Sequence, residues 1–349
     1  MDADTGWPVL EIASNNSHSF EHHLIALCVL ALPPIFTEHA PLTYNAGGIP
    51  FGEAHMPQPP LDPYIVGLAQ INVKLGDLQA NLKKHFEYIE QARAAGVNLL
   101  IFPELSLTGY YLQDITHEIG LCVDPPAEPL RLLIEASREH DMDICVGFVE
   151  ESDRFVHYIA QAYIGQGQIK HVHQKVHLPT YGMFDDMRYV GMGRQVRAFD
   201  TRFGRMGMLV CEDFWHLSLP YLLWMDGAET LLLVAAGPGR GVKPGDDYLD
   251  TSYDVVMTHR VYAELFTTFI FHCNRVGYED GVAFGGYSTV IAPDGEFLVK
   301  GEHFEECLVT ATVNPEQVRF KRRSLPLLRD ERPELVLKEL QRIVNERHS

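Results

Sequence analysis

The first sixty residues contain no lysine or arginine, and the chain of 349 residues carries only 28 such cations against 47 Asp and Glu, for a formal net charge of −19. That shortage excludes a general affinity for nucleic acid or an anionic membrane, since both need a basic footprint to neutralise phosphate. Small molecules and proteins are the expected partners. No C-x-x-C spacing occurs among the six cysteines (Cys28, Cys122, Cys145, Cys211, Cys273, Cys307), so neither a zinc ribbon nor a dithiol redox motif is expected. A reducing, cytoplasmic setting follows from the same scatter. The apolar run from Leu24 to Leu32 is too short to span a bilayer and lacks the positive flank of a signal peptide. Residues 1–62 otherwise mix Pro, Gly, Asn, Ser and His without period, and are expected to form a poorly ordered N-terminal extension. Neither an internal repeat nor a long linker divides Tyr64 to Val313, which points to one domain over residues 63–315 and a C-terminal tail, 316–349, with a helix from about Glu334 to Glu346.

Hydrophobic residues make up 46% of the chain, ample for a sizeable core. Periodic structure begins at Tyr64, where YIVGLAQIN alternates as a strand does, and Leu78 to Ala95 has helical spacing. NLLIF reads as a buried strand ending at Pro103, with Glu104 directly after it. Helix is predicted over Glu128 to His140, then a buried strand DICVGFVE, then two strands around the turn GQGQ. Lys175 lies just past the second of these, among His171, His173 and His177. Those histidines raise a metal reading with Asp185 or Asp186, but His177 falls beyond the strand and no second ligand cluster has the usual spacing, so no metal is expected. Further on come a helix from about Thr251 to Glu264, a strand from Thr267 to Cys273, a hairpin around Pro293-Asp294-Gly295 and a last strand from Glu306 to Val313. The basic cluster Arg319, Lys321, Arg322 and Arg323 reads as a solvated or interface face. Strands alternating with helices and then pairing as hairpins predict an α/β (α+β) domain with mixed sheets.

Met206 to Gly237 is the most informative stretch. An apolar run stops at Cys211, Glu212 and Asp213 follow, an amphipathic segment runs to Gly227, and a second apolar run from Leu231 to Ala236 closes the unit. This is strand, sharp turn, helix, strand. A cysteine at such a turn faces backbone N–H groups that favour the thiolate and can hold an oxyanion.

Glu104, Lys175 and Cys211 thus stand in order at strand ends, within FPELSLTGY, HQKVHLPTYGMF and VCEDFW. Together these motifs resemble the nitrilase or carbon–nitrogen hydrolase superfamily from about Pro63 to Pro315. The resemblance implies a four-layer α-β-β-α sandwich that pairs across a helical face into a homodimer or larger homo-oligomer, with no cofactor. It also implies roles: Cys211 as nucleophile forming a thioester, Glu104 as general base, and Lys175 as the positive charge on the oxyanion beside the backbone N–H of Glu212. Within the superfamily the chain is most similar to the glutamine-hydrolysing domain of glutamine-dependent NAD synthetases, through Lys175 to Tyr181, Phe184-Asp185-Asp186, Arg188-Tyr189, CEDFW and Asn274-Arg275-Val276-Gly277 before Gly285-Gly286. Tyr110, Tyr181, Asp186, Trp215, Gly237 and Arg240 are the candidate substrate contacts.

Two departures bear on the substrate. After Val313 only a short tail follows, without a Ser-Gly-Gly-x-Asp-Ser-like loop for pyrophosphate, so this chain is not expected to make NAD by itself. Where relatives place a serine after the strand following the cysteine, this chain has Ala235-Ala236-Gly237-Pro238-Gly239-Arg240, and Arg240 is free to meet an acidic group on another substrate. The expected activity is cleavage of a small linear amide or carbamoyl compound with release of ammonia. The alternative is a glutaminase subunit serving a separate synthetase partner chain; a nitrile hydrolase or a noncatalytic scaffold ranks lower.

Overall fold

A computed structural model describes residues 61–241 and 249–347. The expectation for the N-terminal extension lies almost wholly outside these residues, as does most of the Gly- and Pro-rich loop after Arg240.

Two six-stranded sheets form the centre. The first is built from β1 (Tyr64–Gln70), β2 (Leu99–Ile101), β3 (Asp143–Glu151), β4 (His157–Gly165), β5 (Gln168–Gln174) and, from the far end of the chain, β14 (Cys307–Val313), in the order β14-β1-β2-β3-β4-β5. The second holds β6 (Phe199–Thr201), β7 (Gly204–Val210), β8 (Thr230–Ala235), β9 (Phe269–Asn274), β12 (Thr289–Ile291) and β13 (Phe297–Lys300), in the order β13-β12-β9-β8-β7-β6. Each sheet has three parallel strands, β1-β2-β3 and β7-β8-β9, flanked by antiparallel neighbours. A short antiparallel pair, β10 (Val276–Glu279) with β11 (Val282–Gly285), stands apart from both.

Both faces of β1 to β4 are buried, which is why these strands read as near-continuous apolar runs, whereas the outer strands β5 and β14 are partly exposed. Val66, Leu68, Leu99, Ile101, Cys145 and Tyr163 face inward, into one core with Met206, Met208 and Leu231 of the second sheet. Their alternate neighbours Ala69, Leu100, Ile144, Val146 and Ala162 face outward, against α1 (Leu78–Ala94) and α2 (Glu128–Glu139). On the other side α4 (Ser218–Met225) and α5 (Asp250–Phe266) bring Leu223, Trp224, Tyr262 and Phe266 onto the second sheet; the short α3 (Asp186–Tyr189) comes earlier in the chain. The layers are therefore α-β-β-α, the sandwich the resemblance implies. Its closure across β1 and β14, residues 64 and 313 in register, is not readable from local pattern.

The tail folds as α6 (Glu316–Ser324), α7 (Leu327–Asp330) and α8 (Pro333–Arg347). The basic cluster lies on α6, where it is only partly a solvated face. Val318 belongs to the core and Arg322 donates to Ala228 O at 2.7 Å, so this helix is tied to the domain. No helix among the described residues is long and apolar enough to cross a membrane.

Candidate active site

The three strand-end residues meet where the parallel strands of both sheets finish. Glu104 enters from the turn after β2, where Leu105 takes a φ of +50°. This turn passes so close to β3 that a Cβ on Gly147 would lie 2.5 Å from Leu105 N and 2.6 Å from Pro103 O. Only a glycine there leaves room for the turn that aims Glu104 inward. The carboxylate is fully buried, and Oε2 accepts from Ala236 N at 2.8 Å while Oε1 accepts from Lys175 Nζ at 2.9 Å. The Ala-Ala-Gly segment at the end of β8 therefore has a use that its sequence did not announce: the Ala236 amide holds Glu104.

Lys175 lies one residue beyond β5, its N–H on Ile159 O and its carbonyl taking Gly193 N, both at 2.8 Å. Its ammonium is buried between two carboxylates, Glu104 and Asp186, the latter at 2.7 Å. Cys211 directly follows β7 and opens a five-residue 3₁₀ turn, Cys211–Trp215, with a left-handed φ of +50°. A non-glycine residue in that region costs on the order of 1–3 kcal/mol and persists only when its surroundings enforce it. Asp213 enforces it here. One of its oxygens accepts from Val210 N at 3.2 Å and His173 Nε2 at 2.8 Å; the other accepts from Val176 N at 3.0 Å and His177 N at 2.8 Å. A single buried carboxylate thus fastens the cysteine turn to the chain leaving Lys175.

That role accounts for the histidines without a metal. His173 donates to Asp213, His171 stacks on Phe199 with ring centroids 4.4 Å apart, and His177 stacks on His216 at 3.6 Å. Asp186 is engaged by Lys175. Among the described residues no group of His, Cys, Asp and Glu is arranged to hold a metal ion.

Burial works against the Asp213 charge, but the hydrogen bonds from His173 and His177 outweigh it and hold this carboxyl below the usual carboxylate range. A depressed folded pKa contributes stability that is present above the ordinary value of about 3.9 and is lost as pH falls through the folded value. Asp213→Asn is expected to cost about 2–4 kcal/mol at pH 7, three amides and a histidine losing a charged acceptor. The difference in urea midpoint between the two proteins should stay nearly constant from pH 7 to about pH 4 and shrink only as pH falls further, toward the depressed folded value; no difference at pH 7, or one that has vanished by pH 5, would remove Asp213 as the fastening.

The electrostatics of the three residues are mutual. Burial, helped by the negative Asp186, raises the Glu104 pKa against the pull of Lys175. Burial disfavours the Lys175 ammonium too, yet Asp186 and Glu104 outweigh it and hold this pKa well above the ordinary lysine value. The Cys211 thiol is pushed well above its usual pKa by burial and then by Glu104, with Lys175 opposing. The expected thiolate-favouring turn is therefore overridden: a five-residue turn supplies little field, and the buried carboxylate beside it dominates. What stands ready is a neutral thiol with a base next to it and a cation behind.

Cys211 opens onto a cavity of about 190 Å³. Tyr181, Trp215 and Gly237 line it, as do Phe184, Asn274 and the side chain of Glu212. Of the candidate substrate contacts, Tyr110 and Asp186 lie elsewhere: the Tyr110 hydroxyl donates to Asp186 Oδ1, whose other oxygen holds Lys175, so both stand behind the lysine. Arg240 is exposed beside Met183, its Nη2 3.2 Å from Sδ, and is not among the lining residues. Sequence reasoning gave Glu212 only a backbone role, whereas its carboxylate faces the cavity and accepts from Tyr181 OH at 2.7 Å. Burial and that bond push the tyrosine pKa up to about 12, so the phenol stays a donor. The adjacency of Glu212 to the cysteine was the available signal.

Comparison with known proteins places these residues in a wider set. Residues 65–323 match the carbon-nitrogen hydrolase family. A glutamine-dependent NAD(+) synthetase of Thermotoga maritima is 31% identical over 256 residues, 71% of this chain and 42% of that one. The chain thus spans less than half the length of this relative. An N-carbamoylputrescine amidase of Solanum lycopersicum is 25% identical over 271 residues, covering 74% of this chain and 89% of that enzyme. In structure, a carbon-nitrogen hydrolase from Helicobacter pylori G27 superposes with a TM-score of 0.72 at 22% identity, over 80% of this chain and 98% of that one.

Proposed function

This chain belongs to the carbon–nitrogen hydrolase family, and on that footing we propose that it cleaves the C–N bond of a small linear amide or carbamoyl compound through a thioester on Cys211, releasing ammonia. The observation that carries the reading is the burial of Glu104 and Lys175 against each other beside the Cys211 thiol, at the floor of a cavity.

Each step has an atom to perform it. An amide carbonyl is a poor electrophile, so a sulfur nucleophile and a covalent intermediate split one difficult step into two. As the thiol attacks, Glu104 takes its proton, and the new C–S bond pushes electrons onto the carbonyl oxygen. Lys175 spends two of its three N–H donors on Glu104 and Asp186, leaving the third for that oxygen, beside the Glu212 amide. Glu104 then returns the proton to the departing nitrogen and the C–N bond breaks. In the second half the same carboxylate deprotonates water, which attacks the thioester and frees the acid and the thiol.

On the substrate side, the Glu212 carboxylate and Tyr181 hydroxyl suit a donor group or positive charge, and Trp215 an apolar stem. Arg240, close by, remains a candidate for an acidic group. The likeness to NAD synthetases favours a second reading, a glutaminase that feeds ammonia to a separate synthetase chain. Incubation with L-glutamine, N-carbamoylputrescine and simple aliphatic amides, followed by ammonia assay, separates the two. Turnover of a free amide or carbamoyl compound by the protein alone is expected. Weak turnover of glutamine only, stimulated by a synthetase chain, would favour the second reading, and no ammonia from any of them would remove both.

A further inference from the structure

A buried ion pair lies outside the cavity and is not used by the chemistry above. Arg275, the residue after β9, is fully buried and pairs through Nη1 with Glu279 Oε2 at the end of β10. Its guanidinium lies over the Phe284 ring at 4.1 Å, and Nη2 donates to Val73 O at 3.3 Å. The other oxygen of Glu279 accepts two successive backbone amides, Tyr110 N at 2.6 Å and Tyr111 N at 2.8 Å. From there the contacts continue: Tyr110 OH to Asp186, Asp186 to Lys175, Lys175 to Glu104. An unbroken chain of charged and hydrogen-bonded groups thus runs from Arg275 to the thiol. Stability alone does not account for it, since a buried ion pair replaced by apolar residues of similar volume is often neutral or better.

We propose that Arg275 and Glu279 are positioning residues for the Glu104–Lys175–Cys211 set: Glu279 grips the loop carrying Tyr110, which fixes Asp186 and so fixes where Lys175 stands between its two carboxylates. The pair also contributes opposite charges near Glu104. The groups that face this carboxylate are Lys175 and Asp186 from the segment after β5, Cys211 from the end of β7, Tyr110 from its own loop, and Arg275 from the end of β9. Losing one member of the pair leaves the other's charge uncompensated on one side of that group.

The inference rests on the catalytic roles proposed above, but it is tested without a substrate. The measurement is the rate at which iodoacetamide alkylates Cys211, followed by mass spectrometry of the peptide containing it, from pH 7 to pH 11, a range that reaches the raised thiol. Glu279→Gln leaves Arg275 as a lone cation, which favours the ionised carboxylate and thiolate, so the midpoint should fall by ~0.5 pH unit. Arg275→Met leaves Glu279 as a lone anion, so the midpoint should rise by a similar amount. The double variant should return it to the wild-type position, a coupling that independent losses of stability would not produce. Unshifted midpoints, or shifts of one sign in both single variants, would overturn the proposal even if melting temperatures fell. If either single variant fails to fold, Tyr110→Phe decides: it should lower turnover of whichever amide is hydrolysed by ~10-fold or more with KM within about threefold, and wild-type turnover would overturn the proposed route. Should no amide be hydrolysed, the catalytic reading fails, while the alkylation midpoints still judge the pair.

Discussion

Cys211→Ala is expected to abolish ammonia release, by about 10⁴-fold or more, with the melting temperature within a few degrees of wild type. Two features of the site make the loss so large and so selective. Among the described residues no other cysteine lines the cavity: Cys145 and Cys273 are buried in the core, where burial pushes both of their pKa values up, and Cys122 and Cys307 lie elsewhere. The thiol is also held neutral, so its removal strips no buried charge of a partner, unlike the removal of Glu104 or Lys175. Alanine keeps the Cβ and so leaves the left-handed backbone at this position as it was. Wild-type protein quenched during turnover should carry an acyl group as a thioester on the peptide containing Cys211, and its mass would identify the acid half of the substrate. Wild-type turnover by the alanine variant would sink the thioester mechanism outright.

How far this site was legible depends on the kind of contact. The strand ends at Glu104 and Cys211 are local signals, visible in a dozen neighbouring letters, but each marks only a candidate; it is the three flanking motifs taken together, through their resemblance to carbon–nitrogen hydrolases, that single out Glu104, Lys175 and Cys211 as a set. The central strands β1 to β4 and β7 to β9 were readable from their apolar runs, which burial on both faces requires. Contacts between segments were not. Glu279 accepts the amide of Tyr110 across 169 residues, and Ala236 donates to Glu104 across 132; no periodicity encodes either. Tyr110 and Asp186 were drawn toward the substrate by their place in the motifs, whereas the geometry turns both to the back of Lys175. Strands of three or four residues, β6, β10 and β11, also escaped, since so short a run cannot display a period of two.

Lys175→Met should be the most destabilising single change at the site, and its pH dependence separates a catalytic lysine held between carboxylates from an ordinary ion pair. An exposed pair would be worth about 0–1 kcal/mol. Here methionine fills much the same volume but leaves Glu104 and Asp186 facing each other without a cation, and breaking a buried pair in this way costs about 3–5 kcal/mol, on the order of 10 °C in melting temperature for a domain of this size. Glu104 already has a raised pKa because burial and Asp186 outweigh the pull of Lys175. Removing the lysine removes the largest opposing influence and raises it further. A group with a raised folded pKa contributes stability that is fully present below its ordinary value, about 4.3, and is lost as pH rises through the folded one. The variant should therefore lie closest to wild type near pH 5 and fall away from it toward pH 8, and a second change, Glu104→Gln, should recover part of the loss by removing one of the two charges. A deficit independent of pH, or none at all, would mean that Lys175 is not the counter-ion of this buried pair, and the oxyanion role assigned to it would lose its structural basis.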